Sequence, residues 1–184
     1  VAHSDRWIFD PQSSPDGAWI AYGDKSLRLM IVPATGGDAK VVGTSRGGEI
    51  VEYRFSPDSR WLAWVETLPN GVGRIHLYDT QAGTDHCVSD GLTDDRHPRW
   101  DPKGYYLYFA SARSIDPVLD QFDMAFTTTD AWNLYAVPLA AATPPPLPGD
   151  AAAAGFDLKK WSAAAPPEEG EEEAAEAAPD AKPA

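Results

Sequence analysis

The stretch that decides the fold is Ser56-Pro57-Asp58-Ser59, followed at once by Arg60-Trp61-Leu62-Ala63-Trp64. The same pattern occurs as Ser14-Pro15-Asp16-Gly17 and as Asp101-Pro102-Lys103-Gly104, each time before an aromatic-rich run. The prolines at positions 15, 57 and 102 are 42 and 45 residues apart. A period of about 40–45 residues with four strands per unit is typical of β-propeller blades.

The chemistry of a type I turn explains the motif. Ser or Asp suits the first position because its side chain bonds the backbone ahead, and proline suits the second because its φ is already set. Glycine suits the fourth position, and only Ser59 departs from it. The motif therefore predicts a tight turn between the innermost strand of each blade and the next strand out.

Each unit is expected to contain four strands. The run from Trp61 to Val65 is apolar on both faces, as expected for a strand with a sheet packed on each side, and Trp64 is predicted to lie in the core. The third strands of the outer units are expected at Leu27–Val32 and Asn133–Pro138. The strands of the second unit are predicted at Ile50–Phe55, Trp61–Glu66, Arg74–Asp79 and Asp85–Ser89.

The expected fold class is all-β, with about three four-stranded antiparallel blades of an incomplete ring. We expect the blades within 1–148, at about 5–45, 46–90 and 91–148. The third unit carries a long insertion, about Ala112 to Trp132, which is expected on the same face as the blade connection Gly91–His97. Proline limits Thr143–Pro148 to an edge strand at most. Residues 149–184 are rich in Ala, Pro and Glu and predict a mostly disordered acidic linker.

The charge excludes some classes of partner. The net charge is −13, and the segment from Pro166 onward carries −6 of it, so both parts of the chain repel phosphate. Nucleic-acid binding is therefore not expected. No run is long enough to span a membrane, and no membrane partner is expected. One cysteine, Cys87, allows no internal disulfide, which fits a reducing compartment.

The motif resembles the PD40 (WD40-like) propeller repeat, and the third unit is similar to the end of the second propeller in the tricorn protease family. The resemblance covers roughly residues 5–150. The segments that carry it are Tyr105–Ser111, Asp116–Val118, Phe122–Phe126 and Leu134–Leu139.

The resemblance implies a non-catalytic propeller portion of a serine peptidase, which gates or binds peptides for catalytic domains absent from this chain. It implies peptides and those domains as partners and a homo-oligomeric parent. It implies a cytoplasmic location, or a periplasmic one if a signal peptide precedes this chain. No cofactor is expected. The main alternative is a TolB-like interaction propeller with no attached enzyme, and a prolyl-peptidase propeller is less favoured.

No residue is assigned a catalytic role, because there is no G-x-S-x-G pattern and the turns account for Ser14 and Ser56. No metal site is expected, since the histidines and Cys87 lack ligand spacing. A buried structural role is favoured for Cys87 over a nucleophilic one.

Six residues are candidates for lining a peptide channel: Arg54, Arg99, His97, Asp116, Asp120 and Phe122. For Arg54 and Arg99 the alternative, which we favour, is packing or an ion pair with Glu52 and neighbouring acids. For His97 a structural hydrogen bond to Asp94 or Asp95 is favoured.

Overall fold

The chain forms antiparallel β-sheets, and the repeated turn connects the first two strands of each blade. The computed structural model of the protein describes residues 7–114, 117–119, 126–128, 131–147, 150 and 155. Its strands, in chain order, are β1 (Ile8–Ser13), β2 (Trp19–Asp24), β3 (Arg28–Pro33), β4 (Lys40–Thr44), β5 (Tyr53–Phe55), β6 (Trp61–Thr67), β7 (Gly73–Asp79), β8 (Thr84–Cys87), β9 (Asp95–Trp100), β10 (Tyr106–Ser111), β11 (Pro117–Leu119), β12 (Phe126–Thr128) and β13 (Asn133–Pro138).

The strands form three propeller-type blades. Blade 1 has the order β1-β2-β3-β4 and blade 2 the order β5-β6-β7-β8. Blade 3 contains β9, β10 and β13, and the insertion between β10 and β13 carries the separate hairpin β11-β12. The predicted all-β blade architecture is confirmed. Blade 3 has three strands in the part of the chain that the structure describes, where four were expected.

The three turns close with the same geometry. The N–H of the fourth residue donates to the carbonyl of the first at 2.9 Å in each case, from Gly17 to Ser14, from Ser59 to Ser56 and from Gly104 to Asp101. The fourth residues have φ of 71°, 61° and 72°, the left-handed region that favours glycine. The turn prediction is confirmed, and Ser59 adopts the conformation of the glycines it replaces.

Several strand bounds differ from those predicted. The innermost strand of blade 2 begins at Tyr53 rather than at Ile50, although Ile50 is buried in the core. The outermost strand of that blade is Thr84–Cys87, not Asp85–Ser89. The third strand of blade 1 is shifted by one residue, to Arg28–Pro33. The third strand of blade 3 is Asn133–Pro138, as predicted.

The core lies between the blades. Leu62 and Trp64 of β6 face blade 1, where they join Leu29, Ile31 and other apolar side chains in one buried cluster. The alternate residues Ala63 and Val65 face blade 3 and join a second cluster. The prediction that this strand is apolar on both faces is confirmed, and Trp64 is only 2% exposed.

A third apolar cluster covers the side of blade 1 that faces away from blade 2. It consists of Tyr22, Met30 and Val32 with the partly buried Ile20 and Ala39, and we call it the blade 1 end face. A cleft of about 600 Å³ opens beside it. Tyr22, Met30 and Val32 are themselves only 5–8% exposed, so this cluster is already largely buried within the chain.

The chain divides into two compact units, Val1–Thr143 and Pro144–Ala184, and the three blades belong to the first. The predicted domain bounds, with a linker from 149, stay a prediction. In the residues that the structure describes, no helix has the length and apolar character needed to cross a membrane.

Candidate functional site

Polar residues occupy two equivalent positions on, or directly before, the first strand of each blade, which lies nearest the axis of a propeller. Two residues before the turn motif stand Gln12, Arg54 and Arg99. Four residues before it stand Asp10, Glu52 and His97. The repeat therefore arranges these side chains in two rows, one containing both arginines and the other containing two acids and a histidine.

The two arginines of the first row lie on the innermost strands of adjacent blades, which a side-chain hydrogen bond joins. The indole Nε1 of Trp100 in β9 donates to the carbonyl of Arg54 in β5 at 2.9 Å. Each guanidinium also donates to the carbonyl of the preceding residue, Arg54 to Tyr53 at 2.8 Å and Arg99 to Pro98 at 2.9 Å. The equal local geometry shows that the repeat sets the position of both side chains.

The expected ion pair between Glu52 and these arginines is not found. Glu52 contacts Arg96 and His97 instead, and within the described ranges neither Arg54 nor Arg99 has a carboxylate partner. Arg54 is half-buried and Arg99 is exposed. The expected ion pair with Glu52 is therefore absent among the described residues, the alternative of packing stays a prediction, and both guanidinium groups can donate hydrogen bonds to an external carboxylate.

His97 is held by Glu52, not by Asp94 or Asp95 as expected. Its backbone N–H donates to Glu52 Oε2 at 2.6 Å, and its Nδ1 lies 2.9 Å from the same oxygen. Its φ of 57° places it at the irregularity where β9 shifts register against β10. This conformation turns the imidazole outward, and 64% of the side chain is exposed.

Asp94 and Asp95 accept hydrogen bonds from other residues. Asp94 accepts from the N–H of Gly73 at 2.6 Å and from Arg96 at 2.8 Å, which joins the blade connection to β7. Asp95 is fully buried and accepts from Arg113 at 3.1 Å. The register of two neighbouring blades decides these partners, and a local motif does not contain that information.

A buried tyrosine supports the second row. The hydroxyl of Tyr53 in blade 2 lies 2.5 Å from the carbonyl oxygen of Asp10 and 3.0 Å from that of Phe9, both in blade 1. It also accepts from the N–H of Gly23 at 3.3 Å. Burial raises the pKa of Tyr53 to about 12, so the hydroxyl keeps its proton and remains a donor.

The insertion begins beside the blade connection, as expected. The N–H of Ala112 donates to the carbonyl of Asp94 at 3.0 Å, and Arg113 packs over the rings of Phe109 and Tyr135 while it pairs with Asp95. The other three candidates, Asp116, Asp120 and Phe122, lie outside the described residues.

The remaining reactive side chains are placed as follows. Cys87 is exposed, so the predicted burial is wrong, because β8 is the outermost strand and its four residues all face solvent. Its Sγ donates to the carbonyl of Ser89, and local desolvation raises the pKa of the thiol. His76 is buried between Asp85 and Glu66. Among the described residues, no group of three or more His, Cys, Asp or Glu side chains could hold a metal ion.

Sequence reasoning identified Arg54, Arg99 and His97, named Glu52 only as an ion-pair partner, and missed the equivalent residues Asp10 and Gln12. Alignment of the strands on the turn motif would have found them, because each lies at a fixed distance from it. Chemically, the arginine row offers planar donors to carboxylates. The row of Asp10, Glu52 and His97 offers acceptors and an imidazole. Such a pair of rows can bind a chain with charged groups.

Comparison with known proteins agrees with this architecture. Residues 3–174 match the family described as the tricorn protease second β-propeller domain. The chain is 36% identical over 138 residues to tricorn protease homolog 1 of Streptomyces coelicolor, which covers 72% of this chain and 12% of the relative. It is 31% identical over 138 residues to the tricorn protease of Thermoplasma volcanium, covering 72% and 13%.

A crystal structure of the tricorn protease has the same fold, with a TM-score of 0.71 at 24% identity over 77% of this chain and 15% of that one. The chain spans only 12–13% of the length of the two relatives. The match to 3–174 confirms the resemblance and extends beyond the roughly 5–150 on which it was first seen. The chain belongs to the family of tricorn protease second β-propeller domains.

Proposed function

We propose that this chain is the propeller portion of a longer tricorn-type serine peptidase, in which it binds or gates peptides on their way to catalytic domains outside this sequence. In this proposal the parent protein is cytoplasmic and homo-oligomeric, and the propeller itself needs no cofactor. The observation that carries the proposal is the arginine pair, Arg54 and Arg99, on the innermost strands of adjacent blades.

The charge of the chain makes this pair distinctive. The sequence has 28 acidic residues against 15 Lys and Arg, so its general field repels carboxylates. The guanidinium groups of Arg54 and Arg99, which have no carboxylate partner among the described residues, supply local positive charge within this negative field. Near a protein surface, one such contact at 4 Å is worth up to about 4 kcal/mol before desolvation. A peptide carboxylate, at its C-terminus or on an acidic side chain, is a chemically matched ligand.

In this proposal the row of Asp10, Glu52 and His97 makes the binding selective for one orientation of the peptide. It lies two residues further from the turn, on the same strands or, for Glu52, directly before one, so a peptide would meet acids and an imidazole beside the arginines. Opposite charges in adjacent rows favour one orientation of a bound peptide over the other. The proposed role is therefore orientation as well as binding.

The test uses the full-length protein that contains this chain. It should hydrolyse peptides and be inactivated by a fluorophosphonate that labels nucleophilic serines. The double variant Arg54→Gln/Arg99→Gln should lower kcat/KM about tenfold for peptides with a free carboxylate, and little for the same peptides amidated and without acidic side chains.

The matched control is Arg46→Gln, which removes the same charge from an exposed arginine in the loop between β4 and β5. This variant should leave kcat/KM unchanged for both kinds of peptide. A full-length protein without peptidase activity would reject the proposed function. An equal loss for carboxylate and amide substrates would reject the role of the arginine pair.

A further inference from the structure

Blade 3 has an open strand edge where the other two blades have a fourth strand. In blades 1 and 2 the third strand, β3 or β7, lies between the second strand and the outermost strand, β4 or β8. In blade 3 the equivalent strand β13 is bonded to β10 on one side, and its other edge is open among the described residues. An open edge presents a row of backbone groups that another extended chain can pair with.

The register of β13 identifies these backbone groups. The N–H of Leu139, directly after β13, donates to the carbonyl of Tyr105 at 2.9 Å. Hydrogen-bonded pairs alternate with non-bonded pairs in an antiparallel ladder, so the odd-numbered residues of β13 bond to β10. Leu134 and Ala136 therefore direct their N–H and carbonyl groups to the open edge, where neither has a backbone partner in the described ranges.

The equivalent positions in the other two blades are paired. Leu134, Leu29 in β3 and Ile75 in β7 each lie opposite the residue eight positions after the proline of the turn motif. Leu29 pairs with Gly43 of β4, and the carbonyl of Ile75 accepts from the N–H of Val88, directly after β8, at 2.8 Å. The chain thus shows twice that an extended antiparallel strand fits at this position.

The edge of β13 has little protection against such pairing. Natural edge strands are commonly protected by charged side chains, proline or a bulge. The sequence of β13, Asn-Leu-Tyr-Ala-Val-Pro, has no charged residue, and its register against β10 is regular. Pro138 at its end lacks an N–H, but blade 1 has Pro33 at the same position and β3 still pairs with β4. Leu134 and Ala136 therefore remain available for pairing.

We propose that an extended peptide adds to the open edge of β13 as the fourth strand of blade 3. Leu134 and Ala136 exchange backbone hydrogen bonds with the peptide. This inference rests on the proposed function in that the chain meets peptides, and it adds a contact made by the backbone, separate from the arginine pair.

The chemistry of the edge favours this occupant. Backbone donors and acceptors at alternate residues match another extended backbone, which is the way several peptide-binding domains hold their ligands. Residues directly opposite each other in an antiparallel pair share one face of the sheet. Leu134 is 75% exposed, whereas its equivalents Leu29 and Ile75 are fully buried, so a peptide residue opposite Leu134 lies beside uncovered apolar surface. Peptides with apolar residues at alternate positions are therefore favoured.

The first measurement is amide hydrogen exchange of the 184-residue chain, followed in nitrogen–proton NMR spectra. Without peptide, the amides of Leu134 and Ala136 should exchange about tenfold faster than those of Tyr135 and Val137, which bond to β10. Equal exchange of all four amides would show that the edge is not open and overturn the inference. Protection of the first two that grows with protein concentration would show that a second copy of the chain fills the edge, which also overturns it.

The second measurement adds acetyl-threonyl-valyl-threonyl-valyl-threonine amide, an uncharged peptide that offers the arginine pair no carboxylate. It should shift the amide signals of Leu134 and Ala136 in a saturable way and slow their exchange about tenfold. The same peptide with every backbone nitrogen methylated cannot donate to β13 and should bind about tenfold more weakly. Equal binding of the two peptides overturns the inference.

Ala136→Pro removes one outward N–H and no bond to β10, and Pro138 shows that the strand accepts proline two residues later. This variant should weaken peptide binding about tenfold. Ala136→Val is the matched control, because it keeps the N–H and suits a strand, and it should bind as the wild type does. Equal binding by the two variants overturns the inference. The methylated peptide tests the same bonds in the unaltered chain if Ala136→Pro disturbs the blade.

Repeating the peptide titration in the Arg54→Gln/Arg99→Gln variant separates the two sites. Saturable shifts that persist there support binding at the edge of β13 independently of the arginine pair. Absence of saturable shifts in the wild-type chain overturns the inference, while the peptidase test above, which uses the full-length protein, stands unaffected.

Discussion

Replacement of Gly43 by alanine tests the packing of blades 1 and 2 with a single methyl group. Gly43 lies in β4, and a Cβ added there would be 2.2 Å from Cζ2 and 2.4 Å from Cη2 of Trp64. Carbon atoms prefer separations of about 3.5–4.0 Å, so one partner must move by more than about 1 Å. Trp64 is stacked on His76 at 4.5 Å, and its Nε1 donates to Asp85 at 2.9 Å.

The expected destabilisation follows from these contacts. Overpacking a well-packed core costs about 1–3 kcal/mol. If the indole shifts, the hydrogen bond to the Asp85 carboxylate weakens, and such a bond contributes about 1.5–3 kcal/mol. Alanine also lowers the conformational entropy of the unfolded chain, which offsets about 0.4–1 kcal/mol of this destabilisation. We therefore expect Gly43→Ala to lower the free energy of unfolding by about 2–4 kcal/mol.

The assay is urea unfolding followed by tryptophan fluorescence, in a double-mutant cycle with Trp64→Phe. Phenylalanine lacks the far ring of the indole, so Gly43→Ala should be nearly neutral in that background. Gly48→Ala is the control, because an added Cβ there meets Thr67 only at 3.8 Å, an ordinary contact. If Gly43→Ala and Gly48→Ala have the same effect, or if the cycle shows no coupling, the derived blade packing is wrong.

Three further outcomes are expected. Tyr53→Phe should cost about 1–3 kcal/mol, because the carbonyl of Asp10 loses its donor, and spectrophotometric titration of the wild type should show one tyrosine ionising near pH 12 that this variant lacks. The N–H of Ala82 and the guanidinium of Arg60 hold the pKa of Asp79 below its ordinary value. Its contribution is therefore complete above about pH 4 and disappears as the pH falls through the lowered pKa, so Asp79→Asn should flatten the acid side of a stability–pH curve. The exposed apolar side chains Trp7, Leu92 and Leu134 should make the 184-residue chain self-associate, and a monomeric sedimentation profile with a cooperative thermal transition would contradict this.

Local chemistry explains why much of the fold was predictable. The turn motif specifies its own hydrogen bonds within four residues, and the run from Trp61 to Val65 shows its two buried faces in its composition. Contacts between blades were not predictable in the same way. The bond from His97 to Glu52 joins residues 45 positions apart, and it depends on how two sheets align.

The exposure of Cys87 was missed for a related reason. An apolar or neutral residue in a strand suggests burial, but the outermost strand of a blade has little to pack against. Only part of the candidate site could be recognised in the sequence. Arg54 and Arg99 are prominent in an acidic chain, whereas Glu52 is one acid among many until the strands are aligned on the turns.

The bonds that the Tyr53 hydroxyl donates to blade 1 and the Trp100 indole donates to blade 2 run backward along the chain, over 43 to 46 residues. During synthesis, the innermost strands of blades 1 and 2 therefore lack these partners until the following blade has begun to emerge from the ribosome. At about 5–20 residues per second, that interval is about 2–9 s. Blades would then mature in order from the N-terminal side, each one completed by its successor, and a ribosome stalled after any blade would hold an unfinished edge ready for the next.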